Sequence, residues 1–192
     1  KPIKPEVTEK KKTHPIKTIK ILCSNKYFIL ITLAFAIIYT SLGLTGGSRI
    51  YYAKYVLGNE MINSTMTLFN YIPTILTIML IPIFAKKFGK IKALFVGFLF
   101  YGAGLILEIA GPVNLPMIYG GLVLQGIGHA ALYSCLFAIV GDVVDYSEWK
   151  DGIREEGLTY SVTSFGQKIG TGLGTAALGW ILAAGNYNGT AA

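Results

Sequence analysis

An all-helical bundle that crosses a membrane is the fold this chain predicts, on three observations. Hydrophobic residues make up 53% of its 192 and charged ones only 14%, too apolar for an ordinary soluble domain of that length. The apolar residues gather into five runs, 27–47, 61–85, 93–110, 115–141 and 158–184. Each is long enough to cross a hydrocarbon core that takes about 20 residues of helix. The runs are continuous rather than alternating, unlike the strands of a membrane barrel. A helix satisfies its own backbone in lipid, so the bilayer is the chain's solvent and first partner.

Taken in order, the elements orient themselves by charge. Residues 1–26 hold eight of the seventeen basic residues and no apolar core, so they read as a polar linker rather than a signal peptide. Short basic segments stay in the cytoplasm, which places 1–26 inside. After the first run, Arg49, Lys54 and Glu60 fall in an outer segment. The second run carries Pro73 and Pro82, which are expected to bend or loosen it. Lys86, Lys87, Lys90 and Lys92 follow it in a loop that returns inside, in agreement with the crossing parity. Glu108 closes the third run and is expected to reach the outer interface. The fourth run leads into 142–157, again inside, and the fifth ends in a tail from 185 outside. The net charge of +7 is thus spent on topology, and no nucleic-acid partner is expected. Cys23 and Cys135 both lie toward the reducing side, so no disulfide is expected. Five spans, an odd number, read as one piece of a larger helical assembly.

Few residues in these runs can carry chemistry. Lys168 stands about eleven residues into the fifth run, near the bilayer middle at a rise of about 1.5 Å per residue. A charge there costs on the order of 3 kcal/mol or more, so it should face a cavity or a partner, and its depth argues against snorkelling. Spacings of three and four put Ser161, Ser164 and Lys168 on one stripe, with Tyr160, Thr163 and Gln167 nearby. Hydroxyls aligned with an ammonium suit a sugar. Gly170 and Gly174 beyond them read as a surface for close helix packing. His129, with Gln125 and Tyr133 one turn to either side, reads as a hydrogen-bonded packing residue or a proton relay.

The segment 142–157 holds six of the ten acidic residues. Asp142, Asp145 and Glu148 share a face if the fourth helix continues past the membrane edge, and Lys150 and Arg154 follow. Carboxylates in such a cluster could bind a hard cation, but pairing with basic loops is their commoner fate, and exposed pairs of about 1 kcal/mol can exchange as a gate. No metal ligands are assigned. The chain has no Gly-Lys-Ser/Thr phosphate loop, no His-Glu-x-x-His, no Cys-x-x-Cys and no Gly-x-Ser-x-Gly elbow. Neither an ATP-driven motor nor an enzyme finds support, and no catalytic residue is named.

These residues also carry a resemblance. Asp142-x-x-Asp145-Tyr146-x-Glu148-Trp149-Lys150-x-Gly152-x-Arg154-x-Glu156-Gly157, followed by Ser164-Phe165-x-Gln167-Lys168-x-Gly170, is similar to the region between helices ten and eleven of the glycoside–pentoside–hexuronide:cation symporters, the melibiose-permease family of the major facilitator superfamily. Pro82-Ile-Phe-Ala-Lys-Lys-Phe-Gly-Lys-Ile-Lys92 resembles the superfamily's cytoplasmic loop motif, with Lys86 where an aspartate is common and Pro82 where glycine is common. The resemblance implies that the five spans are helices seven to eleven of a twelve-helix fold, preceded by the central linker. It implies that Lys168 lies close to the sugar and cation sites. By the same token Tyr133 faces the sugar on helix ten, and Thr163 and Ser164 line the cavity. The coupling ion, Na+, Li+ or H+, would be bound mainly by the N-terminal six-helix half, the partner that this chain lacks.

The expectation is therefore part of a cation-coupled symporter of a sugar or glycoside in the cytoplasmic membrane. Lys168, Tyr133, Ser164, Thr163 and Gln167 would bind substrate; Asp142, Asp145, Tyr146, Glu148, Lys150, Arg154 and Glu156 would form the cytoplasmic gate. Two other classes stay open: a non-transporting scaffold or sensor derived from such a protein, and a superfamily transporter of a non-sugar solute.

Overall fold

The computed structural model describes residues 25–151 and 156–187, and the regular elements there are helices. Helix α1 (Lys26–Tyr51) starts at Asn25, whose side chain accepts from the Tyr27 amide at 3.0 Å, and runs on through a π-helical turn over Tyr52–Val56. Helices α2 (Ile62–Ile78), α3 (Ile81–Phe88), α4 (Lys90–Ala110), α5 (Leu115–Asp151) and α6 (Glu156–Ala184) follow.

Three of these, α1 with its π turn, α4 and α5, are each long and apolar enough to cross a membrane. The pair α2–α3 makes a fourth if it is taken as one span, bent by 53°. The expected run 61–85 is thus broken, and Pro82 explains where. Its ring cannot share a helix with the carbonyl four residues back, that of Ile78, and α2 ends there. Pro73, by contrast, lies inside α2 without ending it. The residues of the expected fifth span form a helix, α6, 29 residues long, but it is not among the helices apolar enough to cross a membrane. Its hydroxyls, its glycines, Gln167 and Lys168 dilute it, as befits a helix that does not face lipid on all sides.

The fourth helix does continue beyond its apolar run. Helix α5 is 37 residues long and continues to Asp151. At 1.5 Å per residue it extends about 55 Å, well beyond a hydrocarbon core of about 30 Å. Val143, Val144 and Ser147 supply the reason, because they stay buried on one face while Asp142, Asp145 and Glu148 are exposed on the other.

Helix pairing follows the glycines. In lipid there is no hydrophobic drive between apolar helices, so close backbone approach and polar contacts hold them together. Helix α6 lies along α1, where a Cβ on Gly43 would stand 2.6 Å from the Thr171 carbonyl oxygen. Helices α4 and α5 meet equally tightly, a Cβ on Gly128 standing 2.6 Å from the Gly97 carbonyl. Against α2, helix α5 adds polar contacts: Asn70 Nδ2 donates to the Leu122 carbonyl at 3.1 Å, and Thr74 Oγ1 to the Gly126 carbonyl at 3.0 Å. Phe28, Ile31 and Phe35 of α1 pack with Leu136, Val140 and Val143 of α5 in one buried cluster.

Candidate functional site

The bundle carries three polar regions. The first belongs to α6 alone. Tyr160, Ser161, Ser164, Phe165 and Lys168 line one side of an open cavity of about 410 Å³. Ser161, Ser164 and Lys168 do share the stripe that their spacing predicts, and all three are exposed. Two neighbours lie elsewhere. Thr163 is 1% exposed and donates to the Tyr160 carbonyl at 2.9 Å, so it does not line the cavity as expected. It falls on the α6 face that holds Thr159, Gly166 and Gly170, the face turned to α1. Gln167 is half-buried, and its Nε2 is buried with no hydrogen-bond partner.

The second region lies between α1, α2 and α5, a cavity of about 110 Å³ whose lining includes Arg49, Asn70, Tyr71, Thr74, His129 and Tyr133. Tyr133 stacks on His129, ring centres 5.6 Å apart at 22°, and Tyr39 lies 6.2 Å away. His129 is itself held against Tyr101 at 4.9 Å and is only 5% exposed, with Nε2 unpartnered. Its ring environment is aromatic, so the residue packs, but without the hydrogen bond at Nε2 that the packing reading expected. Lys168 and Tyr133 therefore line separate cavities.

Arg49 is the main residue to which the sequence reading gave no role in a site. It lies in the last turn of α1, and its Nη2 donates to Gln125 Oε1 of α5 at 3.2 Å. It also lines a third cavity of about 450 Å³, together with Tyr52, Gln125 and Glu108. Glu108 turns into this cavity rather than out to the interface, and its Oε1 is buried without a partner. Asn70 and Thr74 were passed over too. An asparagine amid an apolar run was a visible signal, whereas Arg49 was hidden because α1 outlasts its apolar run.

The end of the bundle that holds Asn25 and the last turns of α5 carries a separate network. Lys90 Nζ meets Asp142 Oδ1 at 2.6 Å and also donates to the Ala138 carbonyl at 3.1 Å. The basic segment expected as a loop is helical on both sides of Gly89, and Lys90, the first residue of α4, is the one that meets the acidic face of α5. Asn25 Nδ2 donates to Ser147 Oγ at 3.0 Å in a buried contact, and Tyr27 meets Tyr146 edge-on at 5.0 Å. Lys150 Nζ lies 6.0 Å from the Tyr146 ring centre. Asp145, Glu148 and Glu156 are exposed and engaged in interactions of their own. Arg154 lies outside the described residues.

Comparison with known proteins adds the family. The model of the MFS/sugar transport protein family matches residues 2–192. An isoprimeverose transporter of Lactiplantibacillus pentosus is 29% identical over 185 residues, covering 95% of this chain and 38% of the relative. A glucuronide carrier protein homolog of Escherichia coli (strain K12) is 27% identical over 172 residues, 88% of this chain and 38% of the relative. A raffinose carrier protein of Pediococcus pentosaceus is 26% identical over 164 residues, 84% of this chain and 25% of the relative. The chain thus spans well under half the length of these relatives. No solved structure matches it significantly. With a family model matched along nearly its whole length and apolar helices packed as a membrane bundle, this chain belongs to the MFS/sugar transport proteins.

Proposed function

We propose that the chain forms helices seven to eleven of a cation-coupled symporter that carries a sugar or glycoside across the cytoplasmic membrane by alternating access. The observation that carries this reading is the one-sided cavity at Lys168. A cation deep in the bilayer is expensive, yet here it stands exposed beside Ser161 and Ser164 on a wall supplied by α6 alone. A second bundle facing that wall would enclose a polar, hydroxyl-lined site near the midplane, where transporters of this kind bind substrate. The N-terminal six-helix half is the partner that supplies it, along with most ligands for Na+, Li+ or H+.

Within the pathway, Lys168, Ser161 and Ser164 bind sugar hydroxyls at the α6 wall, and the Tyr133 ring, in its separate cavity, offers an apolar face to the C–H face of a sugar at another point along the path. Gln167 flanks the stripe with an unspent donor. The network around Asp142 and Tyr146 closes the cytoplasmic side and contacts the other bundle. Asp145, Glu148, Lys150, Arg154 and Glu156 take part in it.

The test is uptake of labelled isoprimeverose, raffinose and a glucuronide by proteoliposomes holding the complete transporter, under imposed Na+, Li+ or H+ gradients. Wild type should accumulate at least one of them in a gradient-dependent way. Lys168→Ala and Tyr133→Ala should each weaken apparent affinity by roughly tenfold or more, the scale of one lost hydrogen bond to a charged group or one aromatic platform. Wild-type uptake in both variants would sink the site, and binding without accumulation would favour a scaffold or sensor.

A further inference from the structure

The cavity on the outer side of Arg49 contains a carboxyl and an amide that the transport reading leaves unused. Gln125 is 1% exposed, and only one end of its amide is employed, Oε1 accepting from Arg49 Nη2 at 3.2 Å. A guanidinium has donors only, so it fixes which end of the amide faces it. Nε2 is then left buried without a partner, and Glu108 Oε1, lining the same cavity, is buried without one as well. An orphaned donor and an orphaned acceptor in one cavity are a hydrogen bond waiting to close, since each costs about 1–3 kcal/mol while unmade.

We propose that Glu108 is a proton-binding site that sets the position of Arg49 through Gln125. Ionised, Glu108 accepts from Gln125 Nε2 and holds the amide so that Oε1 stays on Arg49. Protonated, the carboxyl becomes a donor and competes with Arg49 for that same Oε1. Arg49 has the alternative close at hand, because it also lines the inner cavity with Tyr133, His129, Asn70 and Thr74. One proton taken up at Glu108 thus shifts a cation from an intra-bundle contact toward the cavity that Tyr133 lines. The groups that face Glu108 allow this. The α1 side presents Arg49 and Tyr52, α5 presents Gln125 with His129 one turn further, and Met66 of α2 and Pro112 bring no charge. Tyr52 is occupied, its hydroxyl donating to the Pro112 carbonyl. The role of the inner cavity in this scheme rests on the transport reading, but the link between Glu108 and Arg49 does not.

The experiment needs no substrate. Arginine-specific labelling with phenylglyoxal, read by mass spectrometry on the native full-length protein in liposomes, gives the reactivity of Arg49 relative to Arg154, the chain's other arginine. Glu108→Gln, which removes the charge, should raise the Arg49 ratio roughly tenfold, the scale of one lost hydrogen bond from a charged donor. Glu108→Asp should stay near wild type. In the wild type the ratio should rise as pH falls, and in Glu108→Gln it should be flat. Equal ratios in wild type and Glu108→Gln would overturn the proposal, as would equal changes in Gln and Asp variants, which would mean packing rather than charge. If Glu108→Gln does not fold, a pH-independent wild-type ratio overturns it alone. Isoprimeverose binding by the same samples separates this result from the transport reading, whose failure would leave the labelling ratios untouched.

Discussion

At the scale of single residues, the contact between Lys90 and Asp142 is short but exposed, with side chains 38% and 59% accessible. Such a pair is worth about 0.2–1 kcal/mol, enough to bias a gate and too little to lock it. In a double-mutant cycle with Lys90→Ala and Asp142→Ala, melting temperature should reveal a coupling of that size, shrinking in high salt because exposed charges are screened over about 10 Å at 0.1 M. Transport rate should change more than stability. A salt-insensitive coupling above about 2 kcal/mol would instead describe a structural clamp. The legibility of individual residues follows the same physics. Lys168 and its serines were readable because a three–four spacing fixes a shared helix face whatever surrounds it. Thr163 was not, because the side of α6 that meets α1 depends on where Gly166 and Gly170 let a neighbour approach. Glu108 was misplaced for a similar reason: its nearness to a helix end suggested the interface, but Gln125 and Arg49 sit across from it.

Among the elements, the glycine stripe of α6 separates two kinds of glycine one can test. A Cβ on Gly174 would collide with the backbone of α1 at the Thr40 carbonyl and at Leu44 N, 2.8 Å away, where nothing flexible can yield. One on Gly172 would meet nothing within 4 Å. Gly174→Leu should therefore lower stability by about 1–3 kcal/mol or more by forcing α1 and α6 apart, while Gly172→Ala should cost nothing measurable. Thermal unfolding in detergent compares them, and equal losses would show that the glycines serve propensity rather than packing. Helix existence was legible throughout, because continuous apolar runs leave a chain in lipid few choices. Helix ends were less so. Helix α1 runs past its apolar run to hold Arg49, and the Val143, Val144 and Ser147 face carries α5 into the charged segment that follows. In both cases burial on one side outweighed polarity on the other. The break between α2 and α3 was legible in kind, since Pro82 announces it, although Pro73 carried the same signal with no break.

For the whole molecule, the charge distribution and the bundle geometry make a joint statement about orientation. The cluster Lys86, Lys87, Lys90 and Lys92 stands at the same end of the bundle as Asn25 and the last turns of α5, because Lys90 reaches Asp142 and Asn25 reaches Ser147. The opposite end carries the turn at Gly58 and Asn59 and the contact of Tyr55 with Tyr187, whose hydroxyls lie 2.8 Å apart. If the positive-inside bias orients this chain, the first end is cytoplasmic and the second is not. Single cysteines at Lys86 and Asn59, both exposed, in a background with Cys23 and Cys135 changed to serine, put this to a direct test. A membrane-impermeant maleimide should label Asn59→Cys in intact cells, and Lys86→Cys only after the membrane is opened. The reverse pattern would invert the gate assignment, moving the Asp142 network to the outside and the Glu108 cavity to the inside. Labelling of both from outside would deny that α2 and α3 together cross the membrane at all. The bent pair would then be a re-entrant element, and the remaining helices would have to be threaded through the bilayer in a different order.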